Sequence, residues 1–127
     1  MGHPTIYPTG VTVYNPEKCW NGFTIFQALE VGAVLMNMNG RENKVWKGVH
    51  GFPNKIFPGG YLMTSRGSRD GRYGVQDGLD LVQIDWDGNV VWKFDRNEYI
   101  EDPGIPGRWM ARSHHDYQRE GDAERIF

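Results

Sequence analysis

This chain of 127 residues has a single cysteine, no long apolar run and no large excess of one charge. Its single cysteine, Cys19, makes neither an internal disulfide nor a cysteine zinc cluster, so cysteine usage does not indicate a redox compartment. No apolar run approaches the roughly 18–20 residues that span a bilayer, and no apolar core of a signal peptide occurs near the start. We expect no membrane partner, and a periplasmic and a cytoplasmic location both stay open.

The balance of charges argues against a nucleic-acid partner. Fourteen Lys and Arg oppose 16 Asp and Glu, and the two signs are mixed along the chain instead of forming a basic stripe. Proteins bind the phosphate backbone mainly through clustered cations. We therefore expect no binding of nucleic acid.

Helix-forming patterns are also scarce, because no window of a dozen residues keeps a 3.6-residue apolar period without meeting Gly or Pro. Aromatic residues make up 13% of the chain, which is typical of a packed interior. Short stretches rich in β-branched and aromatic residues recur between turns, at 23–27, 33–38, 44–47, 55–57, 61–64, 79–86 and 90–94. The sequence predicts an all-β fold of antiparallel sheets.

The clearest predicted hairpin is LVQIDWDGNVVWKF, residues 81–94, whose Asp-Gly pair at 87–88 favours a tight turn. A looser copy, VLMNMNGRENKVWK, covers residues 34–47. Aligning the two copies matches Trp46 with Trp92 if the turn of the first copy holds two extra residues. A spacing of about 40–50 residues is typical of the blades of a β-propeller. Two unrelated hairpins that share a glycine turn and a tryptophan are the alternative.

This repeat predicts that the whole chain, 1–127, is one partial β-propeller domain with about two of six blades. The first blade covers residues 33–78, and the second, incomplete blade covers residues 79–127. Residues 95–112 contain two prolines and lack strand alternation, so we expect an insertion on one rim of the second blade. Loops on a rigid scaffold commonly carry binding groups, which makes this insertion a candidate lid, with a plain solvated loop as the alternative.

The densest group of chemically active side chains is ARSHHDYQRE, residues 111–120. Adjacent residues of a strand face opposite sides, so only one of His114 and His115 is expected to face a propeller axis. An imidazole can act as acid, base or nucleophile, and Asp116 could fix its tautomer. We interpret both histidines as candidate catalytic residues, and a structural pair on the rim is the alternative.

Metal and phosphate sites match the sequence less well. Adjacent histidines on one strand are poor partners in the three- or four-ligand sets that zinc prefers. The DWDGN stretch at 85–89 lacks the remaining ligands of an EF-hand loop. The glycine-rich stretch at 59–74 carries three arginines but no lysine-hydroxyl pair of a P-loop, so it suits at most a mobile cationic loop near a small anion. We expect neither a metal nor a cofactor.

An ordered set of fragments resembles the opening part of the bacterial arylsulfotransferases, the aryl-sulfate sulfotransferases that need no nucleotide donor. The fragments lie within about residues 19–122 and read WNGFTIF, VLMNMNG with KVWKG, HGFPNKIFPGGYLM, LVQIDWDGNVVWKF and RWMARSHHDYQREG. The resemblance implies a six-bladed propeller in which a sulfuryl group passes from a phenolic ester through a histidine to an acceptor phenol. It implies that His114 or His115 contacts the sulfate oxygens and that Arg112 and His50 bind substrate.

The resemblance also implies an incomplete site, because family members are several times longer and their sulfate-accepting histidine lies in a later blade. We therefore expect an arylsulfotransferase-like protein or fragment that takes a small aromatic sulfate and a phenol. The alternative is a catalytically silent propeller fragment that acts as a binding or assembly module. Two blades leave apolar edges open, which favours a homo-oligomer or completion by another chain.

Overall fold

The computed structural model describes residues 3–4, 11, 13–74 and 77–119, and the chain in these ranges is almost entirely β-strand and turn. The strands are β1 (His3–Pro4), β2 (Val13–Tyr14), β3 (Phe23–Ala28), β4 (Gly32–Asn37), β5 (Glu42–Lys47), β6 (Lys55–Phe57), β7 (Tyr61–Thr64), β8 (Val82–Ile84), β9 (Val90–Lys93), β10 (Glu98–Asp102) and β11 (Ile105–Met110). One helical turn, α1 (Gly71–Gly74), follows β7. Within the same ranges, no helix has the length and apolar character to cross a membrane.

These strands form antiparallel sheets of two, three and four strands. Strands β1 and β2 pair, as do β10 and β11, while β3–β4–β5 and β6–β7–β8–β9 are meanders of consecutive strands. Every strand pairing among the described residues is antiparallel. The predicted all-β, antiparallel fold is thereby confirmed, and both predicted hairpins are present as β4–β5 and β8–β9.

The turns of these two hairpins have the same hydrogen-bond pattern. Asn37 and Asp85 each begin a turn, and the Oδ1 atom of each accepts bonds from the amides two and four residues later, at 2.8–3.0 Å. Three residues after each, Gly40 and Gly88 have φ values of 74° and 91°, a left-handed conformation that glycine adopts without steric cost. The two turns are therefore equivalent, 48 residues apart.

This equivalence corrects the predicted alignment of the tryptophans. Beyond each turn one residue is bulged out of the second strand, where the register shifts next to Met36 and next to Ile84. Counting from the turns, the position of Trp92 corresponds to Lys44, and that of Trp46 corresponds to Phe94. The first copy therefore holds no extra residues in its turn, contrary to the prediction, and Trp46 lies two positions beyond the place that corresponds to Trp92.

The boundary between the two larger sheets does not coincide with the predicted boundary between the two blades. Strands β6 and β7 fall within the predicted first blade, 33–78, yet they pair with β8 and β9, which fall within the second, 79–127. Leu62 and Ile84 are opposite each other in this pairing and are both buried, which fixes the register. The end of the predicted second blade, beyond residue 119, lies outside the described residues.

Two apolar clusters pack on opposite faces of the four-stranded sheet, since successive strand residues alternate in direction. The first cluster lies between the two larger sheets and contains Ala33, Leu35, Trp46, Val49, Leu62, Val82 and Ile84. The second contains Met63, Leu81 and Tyr117, with Phe57, Trp92, Phe94 and Ala111 packed against it. The indole Nε1 of Trp46 also donates to the carbonyl of Asp85 at 3.2 Å, which ties the two sheets together.

Residues 95–112, the predicted rim insertion, contain a β-hairpin. Tyr99 pairs with Trp109 across β10 and β11, and Pro103 and Gly104 lie in the connecting turn. A proline is tolerated in β11 because a strand of a two-stranded sheet leaves one row of amides unpaired. The sequence did not indicate these strands, since the alternation here is carried by charged and aromatic residues, and the insertion on a blade rim stays a prediction.

Candidate functional site

Three segments of the chain meet around Gly78. Its amide donates to the carbonyl of Ser113 at 2.8 Å, and its carbonyl accepts from the amide of Arg112 at 3.1 Å. On the other side the carbonyl of Asp77 accepts from the amide of Arg69 at 2.8 Å. These backbone bonds place the residues around position 114 beside Asp77 and the arginine of the preceding loop.

His114 contacts a chain of charged side chains that we name the Asp77–Arg69–Asp102 cluster. The ring Nδ1 of His114 is hydrogen-bonded to Oδ1 of Asp77, and Oδ2 of Asp77 accepts from Nη1 of Arg69 at 3.0 Å. Arg69 also donates through Nε to Asp102 at 2.8 Å and pairs with it through Nη2. The side chains of Asp77, Arg69 and Asp102 are 10%, 16% and 11% exposed, so the cluster is largely shielded from solvent.

The charges of this cluster stabilise one another. Burial by itself raises the pKa of Asp77, but hydrogen bonds from Arg69 and His114 outweigh it, and the pKa lies below its ordinary value. The hydrogen bond from Arg69 likewise lowers the pKa of Asp102, and the bonds to Asp102 and Asp77 raise the pKa of Arg69. Both carboxylates are therefore ionised at neutral pH.

An open cleft adjoins His114 and Asp77. It is lined by Asp77, Phe94, Arg96, Glu98, Ala111, Arg112 and His114. Nη1 of Arg112 is 3.4 Å from Oε2 of Glu98, which holds the guanidinium of this half-exposed arginine at the cleft. Guanidinium groups can bind oxyanions through paired donors. The cleft therefore combines cationic side chains and the ring of Phe94 with the carboxylates of Asp77 and Glu98.

His115 adjoins His114 instead of facing the opposite side. Their ring centroids are 4.1 Å apart at right angles, and the ring of Phe52 lies 5.7 Å from that of His115. His115 has a φ of 62°, so the backbone here turns and the alternation of an extended strand does not apply. Arg112 is also left-handed, at 53°, and strain of this kind clusters at binding and catalytic sites.

Asp116 does not fix the tautomer of either histidine, contrary to the prediction. Its Oδ1 is 2.7 Å from Nζ of Lys55, and the hydrogen bond from Lys55 lowers the pKa of Asp116. The backbone turn at His115 directs the carboxylate toward β6. The carboxylate that contacts His114 comes from Asp77, which is 37 residues earlier in the chain.

The structure brings together three of the four predicted site residues. His114 and Arg112 line one cleft, and His115 packs against His114, whereas His50 is not among the residues that line the cleft. His50 is half-buried, and its amide donates to the carbonyl of Ser65 at 2.6 Å. Whether His50 binds substrate stays a prediction.

Sequence reasoning missed the cluster that supports His114. The arginines at 66–72 were noticed only as a cationic stretch, and Asp77 precedes a glycine, as turn residues commonly do. The signal that could have identified Asp77 is its position next to Gly78. The backbone of Gly78 pairs with that of Ser113, the residue before His114. That pairing is non-local, and no pattern within one segment encodes it.

Among the described residues, no group of three or more His, Cys, Asp or Glu side chains is arranged to hold a metal ion. No family model, curated protein or solved structure matches this chain. The site is therefore interpreted from its own geometry.

Proposed function

We propose that the cleft beside His114 binds the sulfate group of an aryl sulfate and that the protein serves sulfuryl transfer to an acceptor phenol. The observation that carries this proposal is the lining of a single cleft by an imidazole, two guanidinium groups and the ring of Phe94, beside the carboxylates of Asp77 and Glu98 that pair with His114 and Arg112. The cations suit the sulfate oxygens, and the ring suits the aryl group. The resemblance of the HHD motif and its neighbours to the arylsulfotransferases points to the same substrate class.

The overall reaction moves one sulfuryl group between two phenols. The S–O bond to the donor phenol breaks, a bond from sulfur to the acceptor oxygen forms, and the acceptor's proton balances the departing donor phenolate. In the proposed site, the guanidinium of Arg112 and a protonated His114 donate hydrogen bonds to the sulfate oxygens, which stabilises the charge that develops there. Protonated His114 can also give its Nε2 proton to the departing phenolate.

The resemblance assigns the histidine that carries the sulfuryl group to a later blade. We therefore give His114 the roles of binding and polarising the sulfate, with His115 packed beside it. The chain of 127 residues is then expected to bind an aryl sulfate without turning it over on its own.

We also propose that the two larger sheets are blades of a β-propeller. The equivalent turns and bulges recur with an offset of 48 residues, and Leu81 and Phe94 take the places of Ala33 and Trp46 in successive apolar clusters. A meander of four strands is the usual blade of this architecture. The alternative of two unrelated hairpins does not account for a shared bulge.

Titration with 4-nitrophenyl sulfate tests the proposed function. We expect the amide and side-chain NMR signals of His114, Arg112 and Arg96 to shift, and 4-nitrophenol, which lacks the sulfate, to shift them much less. Arg112→Gln should weaken the sulfate ester's binding about 10-fold or more, because one charge-assisted contact is lost. Arg41→Gln, in the β4–β5 turn, is the matched control and should bind normally. Shifts scattered over the surface, or equal binding by both variants, would contradict the proposal.

A binding or assembly module is the second candidate, and the exposed side chains around β3 favour it. Trp20 is 94% exposed, Leu29 78% and Phe23 62%, and β3 is the edge strand of its sheet. Exposed apolar groups at a strand edge promote association. Sedimentation at low micromolar concentration should show a dimer, a trimer or larger species if this edge assembles, and a sharp monomer would count against it.

A further inference from the structure

We infer that Asp77 is a positioning residue for His114. Asp77 fixes the proton of the neutral His114 ring on Nδ1 and so leaves Nε2 as the reactive nitrogen of the cleft. Arg69 and Asp102 hold Asp77 in place. The chemical consequence rests on the proposed function, whereas the tautomer and its cause are properties of the folded chain alone.

The proton's location follows from what a carboxylate can do. An ionised carboxylate only accepts hydrogen bonds, so the Nδ1 atom that it contacts has to be a donor. In a neutral imidazole one nitrogen donates and the other accepts, so a proton on Nδ1 leaves a lone pair on Nε2. When the ring is protonated, Nδ1 keeps its bond to Asp77 and Nε2 becomes a donor. Nε2 is then a proton acceptor in the neutral ring and a donor in the imidazolium, which is the form that the proposed function uses to contact the sulfate.

The position of Asp77 is determined by its surroundings. Its second oxygen is bound by Arg69, and the remaining donors of Arg69 are directed at Asp102. The backbones on both sides are paired as well, because Gly78 bonds to Ser113, the residue before His114. Rotation of the Asp77 carboxylate would break the bond to Arg69, so the acceptor stays aligned with the ring.

The charges next to the ring are unequal in number. The Asp77–Arg69–Asp102 cluster contains two carboxylates and one guanidinium, so it carries one net negative charge that an imidazolium at His114 balances. The other charged groups near His114 line the cleft and are Arg96, Glu98 and Arg112, of which Arg112 pairs with Glu98. The ring of His115 packs edge-on against that of His114. Of the described residues, Asp77 is the one hydrogen-bonded to Nδ1.

The tautomer can be measured directly in the complete chain. Long-range proton–nitrogen correlation spectra of a nitrogen-15-labelled sample at about pH 9, well above the ordinary histidine pKa of about 6.5, show which ring nitrogen carries the proton. We expect the Nδ1–H form for His114. In Asp77→Asn the amide can present a donor to the ring, and we expect His114 to change to the Nε2–H form. A neutral wild-type ring with its proton on Nε2 would overturn the inference, and so would an unchanged tautomer in Asp77→Asn.

Asp80→Asn is the matched control. Asp80 lies three residues along the same segment and binds Arg66 through Oδ2, at 2.8 Å from Nε, so the variant loses the same charge without touching His114. We expect its His114 spectrum to equal that of the wild type. If Asp77→Asn does not fold, Asp102→Asn replaces it, with the expectation that the Nδ1 signal of His114 broadens as Asp77 loses its support.

The same samples separate this inference from the proposed function. In an active assembly, Asp77→Asn should lower kcat by about 10²–10⁴-fold, by analogy with the loss of the orienting carboxylate in a catalytic triad, and should also raise KM, because the imidazolium that binds the sulfate loses its balancing charge. If the tautomer changes as expected but 4-nitrophenyl sulfate does not bind, the proposed substrate is wrong and the positioning role stands. If the ester binds but His114 keeps one tautomer in all variants, the positioning role is wrong and the substrate proposal stands.

Discussion

The two apolar clusters occupy equivalent places in the repeat but are covered by different partners. In the first, Ala33 and Trp46 of one sheet pack directly on the next sheet. In the second, Leu81 and Phe94 hold the corresponding places, and the segment that contains Ala111 and Tyr117 covers them. The hairpin is repeated, whereas the side chains of the candidate site come from segments outside it.

The second cluster is also closed by polar contacts. The hydroxyl of Tyr117 is buried within hydrogen-bond distance of the carbonyls of Met63, at 2.9 Å, and Pro53. Nζ of Lys55 pairs with Asp116 and lies 5.5 Å from the centre of the Tyr117 ring. These contacts hold the segment that begins with the two histidines, so the position of the site depends on them.

The largest expected effect is the loss of the tryptophan that joins the two larger sheets. Trp46 is 3% exposed, and Trp46→Ala should lower the free energy of unfolding by about 3–5 kcal/mol, because a large cavity is left. Phe94→Ala, at the equivalent but only half-buried place, should cost less. Urea denaturation followed by fluorescence or circular dichroism measures both.

Trp20→Ala is the control for this pair, since Trp20 is 94% exposed. It should change the free energy of unfolding by less than about 0.5 kcal/mol. A loss at Trp20 equal to that at Trp46 would show that the cluster between the sheets does not stabilise the chain.

The next effect breaks the polar closure of the second cluster. Tyr117→Phe keeps the ring but removes the hydroxyl, leaving buried carbonyls without their donor, and should cost about 1–3 kcal/mol. Tyr99→Phe, at a ring that is 51% exposed, is the matched control and should cost much less. Equal losses would mean that the buried hydroxyl contributes nothing specific.

The same variant tests a dependence on alkaline pH. Burial, together with the charge of Asp116, raises the pKa of the Tyr117 hydroxyl above its ordinary range. The unfolded chain loses this proton near pH 10 while the folded chain keeps it, so stability is complete below about pH 10 and falls as the pH rises. Tyr117→Phe should therefore lose stability less steeply than the wild type above about pH 10, as measured by thermal unfolding.

Local patterns predicted the strands and their hairpins. Glycine turns and β-branched runs are read within a dozen residues, which is why β4–β5 and β8–β9 were predicted correctly. The alignment of Trp46 with Trp92 failed because the two tryptophans occupy different positions of equivalent hairpins, Trp46 lying two residues farther from its turn than Trp92. The hairpin at 98–110 was missed because its alternation consists of charged and aromatic side chains.

The candidate site was predicted only in part, for the same physical reason. His114, His115 and Arg112 are close in sequence, so a motif could reveal them. Asp77 and Asp102 reach the site through pairings between distant segments, and a single sequence does not encode such contacts. His115 was expected to face away from His114 because a strand was assumed where the backbone is left-handed.

A smaller effect tests whether the two turns are equivalent. Gly40→Ala and Gly88→Ala each force a side chain into a left-handed conformation and should each cost about 1–2 kcal/mol. Asn at either position should be better tolerated than Ala, since asparagine visits this conformation more readily. Chemical denaturation of the four variants should give matching pairs, and a clear difference between the two turns would break the repeat at this point.

The smallest expected effect separates the same two turns by charge. Asn37 and Asp85 occupy one position of the repeat, but hydrogen bonds from the Asn89 side chain and from the amides of Asn89 and Asp87 lower the pKa of Asp85. The contribution of the Asp85 charge is therefore present above the unfolded pKa of about 3.9 and is lost as the pH falls through the lower folded value. Asp85→Asn keeps the Oδ1 acceptor and removes the charge, so its Tm should approach that of the wild type as the pH falls from about 6 to 2. Asn37→Asp should introduce the same acid dependence into the first turn, and a Tm difference that stays constant across this range would show that the charge at this position does not stabilise the turn.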